Sequence, residues 1–369
     1  MLWNWQQPGW PDFTWDHSQM AALERRFLLG GGVLIGSVKH LDDSERDRLR
    51  VEIMSSEAQT TSEIEGEILN RASVQSSIQR QLGLFDDKRR ATPAEQGIAE
   101  LMVDLWRTGS GPLSGELLFR WHRMMMKGRR DLDDIGRYRR SREPMQVISG
   151  AMGAPRIHFE APPSKRVPVE MKRFISWFNR TSPTGTEPLP ALTRAGIAHL
   201  YFESIHPFED GNGRIGRAVS EKSMAQSLDQ PVLIALATTI LARKKGYYDS
   251  LEQANRQMDV TRWLAWFAEM ALEAQRQTIA QVEFVVDKTK LMDRLDGQIN
   301  ARQKKALLRV LKEGPGGFKG GLSAGNYSTI TGASPATTTR DLNDLVEKGA
   351  LVRTGELRHA RYAIRLKQD

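Results

Sequence analysis

The chain has 369 residues, a net charge of +8 and no cysteine. That length suits two or three domains with at least one substantial core, and the missing thiols exclude disulfides and thiolate metal sites. No basic-then-apolar leader opens it, and no stretch reaches the ~18 apolar residues of a membrane span, so the expected setting is cytoplasmic, without a membrane partner.

The basic charge is unevenly placed. Residues 301–369 hold 13 Lys+Arg against 6 Asp+Glu, a net of +7, which leaves +1 for the rest. A basic tail on a near-neutral body implies two jobs, with nucleic acid a partner candidate for the second.

In chain order, Trp3, Trp5, Trp10 and Trp15 open the sequence, interrupted by Pro8 and Pro11. This segment reads as irregular or short extended chain lying across a core. From Ser44 to Arg90 the pattern is polar and helix-friendly. Helices are predicted from Thr92 through Trp106, and after Ser114, which caps a stripe of Leu117, Leu118, Trp121 and Met125. Two short extended runs around a Gly-rich turn predict a β-hairpin between Gly136 and Pro163. Helical spacing resumes over Val167–Asn179 and Leu192–Ile205, with Ala195, Ala198, Phe202 and Ile205 on one face. A further helix begins near Arg214. Others fit Leu233–Asn255, with a break near Gly246, and Val260–Val285, followed by a connector to about Leu295. The last seventy residues suit a winged helix-turn-helix. It comprises a helix over Ala301–Lys312, a Gly-rich loop through Pro315–Gly321, a short helix ending near Gly332, a helix capped by Ser334, and two strands within Leu351–Arg365.

The segment HPFEDGNGRIGR, His206–Arg217, concentrates chemistry-bearing residue types. It joins two apolar helices, so a strand-based dinucleotide fold is excluded. Glycines at 211, 213 and 216 let backbone approach a ligand, and a Gly-rich turn opening a helix aims N–H groups at an anion. Arg214 and Arg217, three apart, project from one side of that helix and suit a polyphosphate. Asp210 supplies a hard oxygen for Mg²⁺ shared with substrate phosphates. His206 can accept a proton near neutral pH. Together they suit transfer from a nucleotide to an incoming nucleophile.

These twelve residues resemble the Fic family motif, HxFx(D/E)GNGRxxR, at every defining position. The resemblance implies a mainly α, Fic-type helical core with a β-hairpin flap, and transfer of AMP from ATP to a Tyr, Ser or Thr hydroxyl of a protein. It implies His206 as the base, Asp210 as the Mg²⁺ ligand and Phe208 as an anchor of the loop. ATP contacts would come from Gly211, Asn212, Gly213, Arg214, Ile215, Gly216 and Arg217. The hairpin at Met145–Phe159 resembles the family flap, which docks a target by strand addition and leaves its identity open. The segment GYYDSLEQAN resembles the nucleotide pocket, where Tyr247 and Asn255 either contact adenosine or simply pack helices. The resemblance also allows a homodimer.

TSEIEG, Thr61–Gly66, is similar to the family's inhibitory pattern (S/T)xxxE(G/N). A carboxylate at Glu65 brought to the two arginines would remove one clamp and repel a triphosphate, and the resemblance implies pairing with Arg217. Gly66 is expected to permit close approach of another backbone. The Trp-rich opening and the winged-helix tail resemble a three-part class of the family. The expected divisions are 1–90, an N-terminal helical domain with the inhibitory motif; 91–275, the catalytic core; 276–296, a connector helix; and 297–369, the winged helix. In the tail, Ser334, Thr337, Thr338 and Arg340 lie where side chains reach a groove, and Arg353, Arg358, His359 and Arg361 lie on the wing. Its partner is either DNA or protein. Two alternatives accompany AMP transfer: a DNA-binding regulator, and removal of AMP or other phosphate-group transfer on the same scaffold.

Overall fold

The computed structural model describes residues 2–84, 89–149, 156–230, 234–314 and 317–366, with the Arg358 side chain not included. The tip of the expected hairpin (150–155), the expected helix start at Leu233, Pro315 in the expected Gly-rich loop and the Arg358 side chain lie outside the described residues. Two compact units emerge, one formed by 1–33 and 46–278, the other by 34–45 and 279–369.

The first unit is helical and is organised around α7 (Ala191–Ile205), every residue of which is buried. A helix buried on all sides belongs at the centre of a core, and α8 (Asn212–Leu228) packs along it. The helices that precede these are α1 (His17–Val38), α2 (Asp43–Ile64), α3 (Arg71–Leu82), α4 (Pro93–Thr108), α5 (Gly115–Met125) and α6 (Val167–Arg180). Thr92 caps α4 through a capping box with Glu95, and Ser114 caps α5, as their sequences dictate. The opening residues include one short 3₁₀ turn, Asn4–Gln6. They do cross the core: Trp5 Nε1 donates to the Glu160 carbonyl at 2.7 Å, and Trp10 Nε1 to Glu170 Oε2 at 2.9 Å.

Three sequence expectations need correction here. A helical N-terminal domain is expected but α1 itself is not, because Gly30, Gly31, Gly32 and Gly36 weaken its helical signal. Two of them serve packing: side chains at 30 and 31 would run into Gln275 and Leu228, whereas Gly32 and Gly36 face open space. The break expected at Gly246 falls instead at Arg243, between α9 (Leu236–Ala242) and α10 (Lys244–Ala254). Gly246 continues α10 beneath the Trp266 indole. After it, α11 (Thr261–Arg294) runs as one continuous helix, with no separate connector element.

Strands β1 (Gln146–Ser149) and β2 (Arg156–Glu160) form the antiparallel hairpin, with an irregularity between Val147 and Ile148. In the second unit α12 (Ala301–Leu311), α13 (Ala324–Thr331) and α14 (Pro335–Glu347) precede the antiparallel pair β3 (Leu351–Thr354) and β4 (Arg361–Ile364). Their core holds Leu307, Tyr327, Leu342, Leu345 and Leu351. Ser334 caps α14 and Gly332 closes α13 at φ 73°. No described helix is long and apolar enough to cross a membrane.

Candidate active site

The turn between α7 and α8 is held in one shape by its own residues. His206 closes α7 in the left-handed region at φ 50°, and Gly211 opens α8 at φ 81°. A non-glycine residue in that region costs on the order of 1 kcal/mol and persists only where its surroundings over-determine it. Here they do. Phe208 is fully buried, its ring stacked on His122 with centroids 4.2 Å apart. Asn212 brackets the loop, accepting from the Phe208 N–H at 2.9 Å and donating to the Phe208 carbonyl at 2.9 Å. Arg139 donates to the carbonyls of His206 and Pro162 at 2.7 and 2.5 Å.

A cavity of about 580 Å³ opens on this turn, with Glu65, Tyr247, Tyr248 and Glu252 on other walls and the hairpin residues Met145–Ser149, His158 and Phe159 along one side. His206, Asp210, Gly211, Asn212, Gly213 and Asn255 all line it. The first turn of α8 has amides without intrahelical acceptors, which makes this wall attractive to an anion. Burial holds His206 down at about 4, with the Arg139 charge acting in the same direction. The imidazole is therefore neutral near pH 7 and able to take a proton.

Asp210 is ionised. Burial pushes its carboxyl up, but hydrogen bonds from Arg129 and Gly211 and the charge of Arg214 outweigh it and hold the group below the usual carboxylate range. Arg129 Nη1 lies 2.7 Å from Asp210 Oδ2. No cluster of three or more His, Asp or Glu suited to a metal exists among the described residues. A single ionised carboxylate beside a turn attractive to anions still fits Mg²⁺, which usually takes one or two carboxylates and completes its shell with phosphates and water.

The two motif arginines are engaged by the end of α2. Arg217, fully buried, donates to Glu65 Oε1 at 2.7 Å, to Thr61 Oγ1 at 2.6 Å and to the Thr61 carbonyl at 2.9 Å. Burial disfavours its charge, yet Glu65 outweighs that and keeps it firmly protonated. Arg214 donates to Glu67 Oε2 at 2.6 Å, and Glu67 is a partner the sequence did not reveal. Glu65 Oε1 also packs so closely on Gly213 that any side chain there would collide with it. Gly66 differs from expectation: no atom crowds it, and it serves a left-handed turn at φ 86°.

Several expected nucleotide contacts sit elsewhere. Ile215 is wholly buried in the core, and Gly216 faces Glu203 and His199 rather than the cavity. The Asn212 side chain is consumed by Phe208, leaving only its backbone at the cavity. Tyr247 shares a 2.8 Å hydrogen bond with His199, and Asn255 accepts from Ser204 at 3.2 Å, so both also pack helices. Arg129 and Glu203 were missed, since nothing in their local sequence marks them, and Tyr248 and Glu252 were passed over within a segment already likened to the nucleotide pocket. Glu252 ties the hairpin down, accepting from Arg156 at 2.9 Å and meeting His158 Nδ1 at 2.6 Å. In the second unit Thr338 is buried rather than groove-facing, whereas Arg340 and Arg353 are exposed.

A neutral imidazole, an ionised carboxylate and a helix N-terminus backed by two arginines meet on a helical core, an arrangement able to attract phosphate. Residues 112–223 match the profile of the Fic/DOC family, and residues 3–84 match a domain of unknown function, DUF4172. The chain therefore contains a Fic/DOC-family domain, and the family motif lies inside the matched stretch. Over 86 residues, 23% of this chain and 15% of the relative, it is 35% identical to protein adenylyltransferase fic-1 of Caenorhabditis elegans. Over 113 residues, 31% of this chain and 30% of the relative, it is 27% identical to the probable protein adenylyltransferase aq_aa38 of Aquifex aeolicus. The chain thus spans less than a third of either curated relative. A solved Fic family protein from Desulfovibrio desulfuricans shares the fold, with TM-score 0.55 and 22% identity over 97% of this chain and 99% of that one. A Fic domain containing signaling protein from Bacteroides thetaiotaomicron superposes with TM-score 0.52 and 17% identity over 72% of this chain and 98% of that one.

Proposed function

We propose that this protein transfers AMP from ATP to a Tyr, Ser or Thr hydroxyl of a protein, and that Glu65 restrains it. The carrying observation is that a neutral, cavity-lining His206 stands beside the N-terminus of α8 while Glu65 occupies Arg217. In the reaction the target hydroxyl oxygen attacks the α-phosphorus. The bond from that phosphorus to the oxygen bridging the β-phosphate breaks, and pyrophosphate leaves with the electron pair. His206 takes the hydroxyl proton. The opening amides of α8 cradle the phosphates, and Arg214 and Arg217 neutralise them once Glu67 and Glu65 withdraw. Mg²⁺ held by Asp210 would neutralise phosphate charge and set the leaving group's orientation. The hairpin presents exposed Ile148 and Ile157, and supports docking of an extended target segment by strand addition.

The test uses ATP labelled at the α-phosphate, with Glu65→Gly and with Glu65→Gly/His206→Ala. Glu65→Gly should raise protein labelling about tenfold or more, by freeing a buried cationic clamp. Adding His206→Ala should lower it at least ~100-fold. Labelling from γ-labelled ATP alone would overturn AMP transfer, and equal labelling by wild type and Glu65→Gly would overturn the brake.

A second reading concerns residues 301–369. We propose that α12–α14 with β3 and β4 act as a winged helix on DNA, because Arg340 and Asn343 are exposed on α14 and Arg353 on β3 in a stretch of net +7. A salt-dependent gel shift tests it.

A further inference from the structure

Glu203 lies one turn before His206 on α7, and residues three apart share a helix face. Its side chain is 11% exposed, and Oε2 lies 3.7 Å from His206 Nδ1. The other oxygen, Oε1, is buried without a hydrogen-bond partner among the described residues. It sits over Gly216 on α8, where any side chain would collide with it. An acid buried with an oxygen unsatisfied is costly and contributes little to folding. Its position is therefore explained by what it does to the imidazole.

We propose that Glu203 is a positioning residue for proton transfer: it holds the His206 ring with Nδ1 toward α7 and supplies the negative charge that faces the imidazolium formed when the target hydroxyl is deprotonated. The inference rests on the AMP-transfer reading above. Glu203 makes and breaks no bond to substrate; the proton passes from the hydroxyl to the distal ring nitrogen and returns to solvent after product leaves.

The charged and titratable groups around the pair are Glu65 at the end of α2, Arg139 and Asp210 in the flanking loops, Arg217 on α8, and Tyr247 and Tyr248 on α10. His199, one turn further back on α7, touches the same glycine. Burial pushes the Glu203 carboxyl up to about 8, and the Glu65 charge adds to this while Arg217 opposes it. With the brake engaged Glu203 is therefore largely protonated near neutral pH. Withdrawal of Glu65 removes a like charge and favours ionisation of Glu203 beside His206, so the same movement frees Arg217 and completes the base.

The experiment compares Glu65→Gly with Glu65→Gly/Glu203→Gln and Glu65→Gly/Glu203→Ala. It measures kcat and the KM for ATP across about pH 4 to 9 by α-phosphate labelling. Melting temperatures are recorded in parallel. Glu203→Gln should lower kcat roughly tenfold, leave the KM for ATP within about twofold, and move the acid limb to lower pH, since the limb set by Glu203 ionisation is lost and only that of the imidazole remains. Glu203→Ala should lose at least as much. In the absence of nucleotide, the His206 ring resonances should lose the titration step that follows Glu203 ionisation. An unchanged acid limb together with an unchanged ring titration overturns the proposal, as does a kcat loss matched by a lower melting temperature alone. If Glu65→Gly itself transfers no AMP, the enzymatic reading fails, while the ring titration still decides whether Glu203 tunes His206.

Discussion

Arginines in the helical unit and in the basic C-terminal stretch look alike in the sequence, yet they are used in opposite ways. Arg217, Arg194 and Arg139 are almost wholly buried, and each is held by several acceptors. Arg194 alone reaches the Phe178 carbonyl, the Ser223 carbonyl and hydroxyl, Gln226 and Thr181. Arg340 and Arg353 instead lie exposed, where water screens them. A buried guanidinium is committed to the partners that make its burial tolerable, and an exposed one stays available to a ligand. Arg217 stands between the two cases, since its partner Glu65 is itself 29% exposed and can leave.

The sharpest way to break this contrast is Arg194→Ala, which strands the Phe178 and Ser223 carbonyls and opens a cavity. It should cost about 3 kcal/mol, read as a lower midpoint in urea unfolding. An unchanged midpoint would show that burial alone does not commit an arginine.

A second test uses the acids rather than the cations. Glu57 on α2 and Glu221 on α8 are buried against each other, and burial followed by their mutual interaction pushes Glu221 well above the usual carboxylate range. Burial likewise raises Glu57, which accepts from the Ala237 N–H at 2.8 Å. Groups with raised folded pKa values contribute stability that is complete below about pH 4.5 and is lost as pH rises through the raised values. Burial holds His122, His199 and His206 low, and these groups raise stability up to about pH 6.5, so melting temperature should fall only above that pH, where the two acids act alone. Glu221→Gln, a neutral mimic, should flatten that fall, and a slope unchanged by the substitution would refute it.

The smallest effects belong to the exposed arginines. Arg340→Ala and Arg353→Ala should each change stability by no more than about 0.5 kcal/mol. On DNA each should reduce the slope of log affinity against log salt by about one, measured by gel shift. Slopes unaltered by both substitutions would remove them from any DNA surface.

The ends of α4, α5, α8 and α14 were legible because capping side chains and helix-opening glycines act locally. The His206–Arg217 segment was legible for a related reason: its residues are neighbours in the chain and therefore neighbours in space. Thr61 and Glu65 were legible as a pattern, and their meeting with Arg217 came from the family resemblance. By contrast α1 was hidden by its glycines, two of which, Gly30 and Gly31, admit Gln275 and Leu228 from distant helices. The Asn212 side chain looked available to phosphate until the fold closed it on Phe208.

The sequence by itself determined the helical periodicity, the caps and a turn rich in amides, cations and one imidazole, all properties of residues within a few positions of one another. Only the tertiary structure decided which of those charges are free. It set Glu65 on Arg217, Glu67 on Arg214, Arg129 on Asp210 and Glu203 beside His206, pairs in which all but the last join residues more than seventy positions apart. Whether a charge is committed depends on desolvation and on partners from other elements, and neither is a property of the local chain.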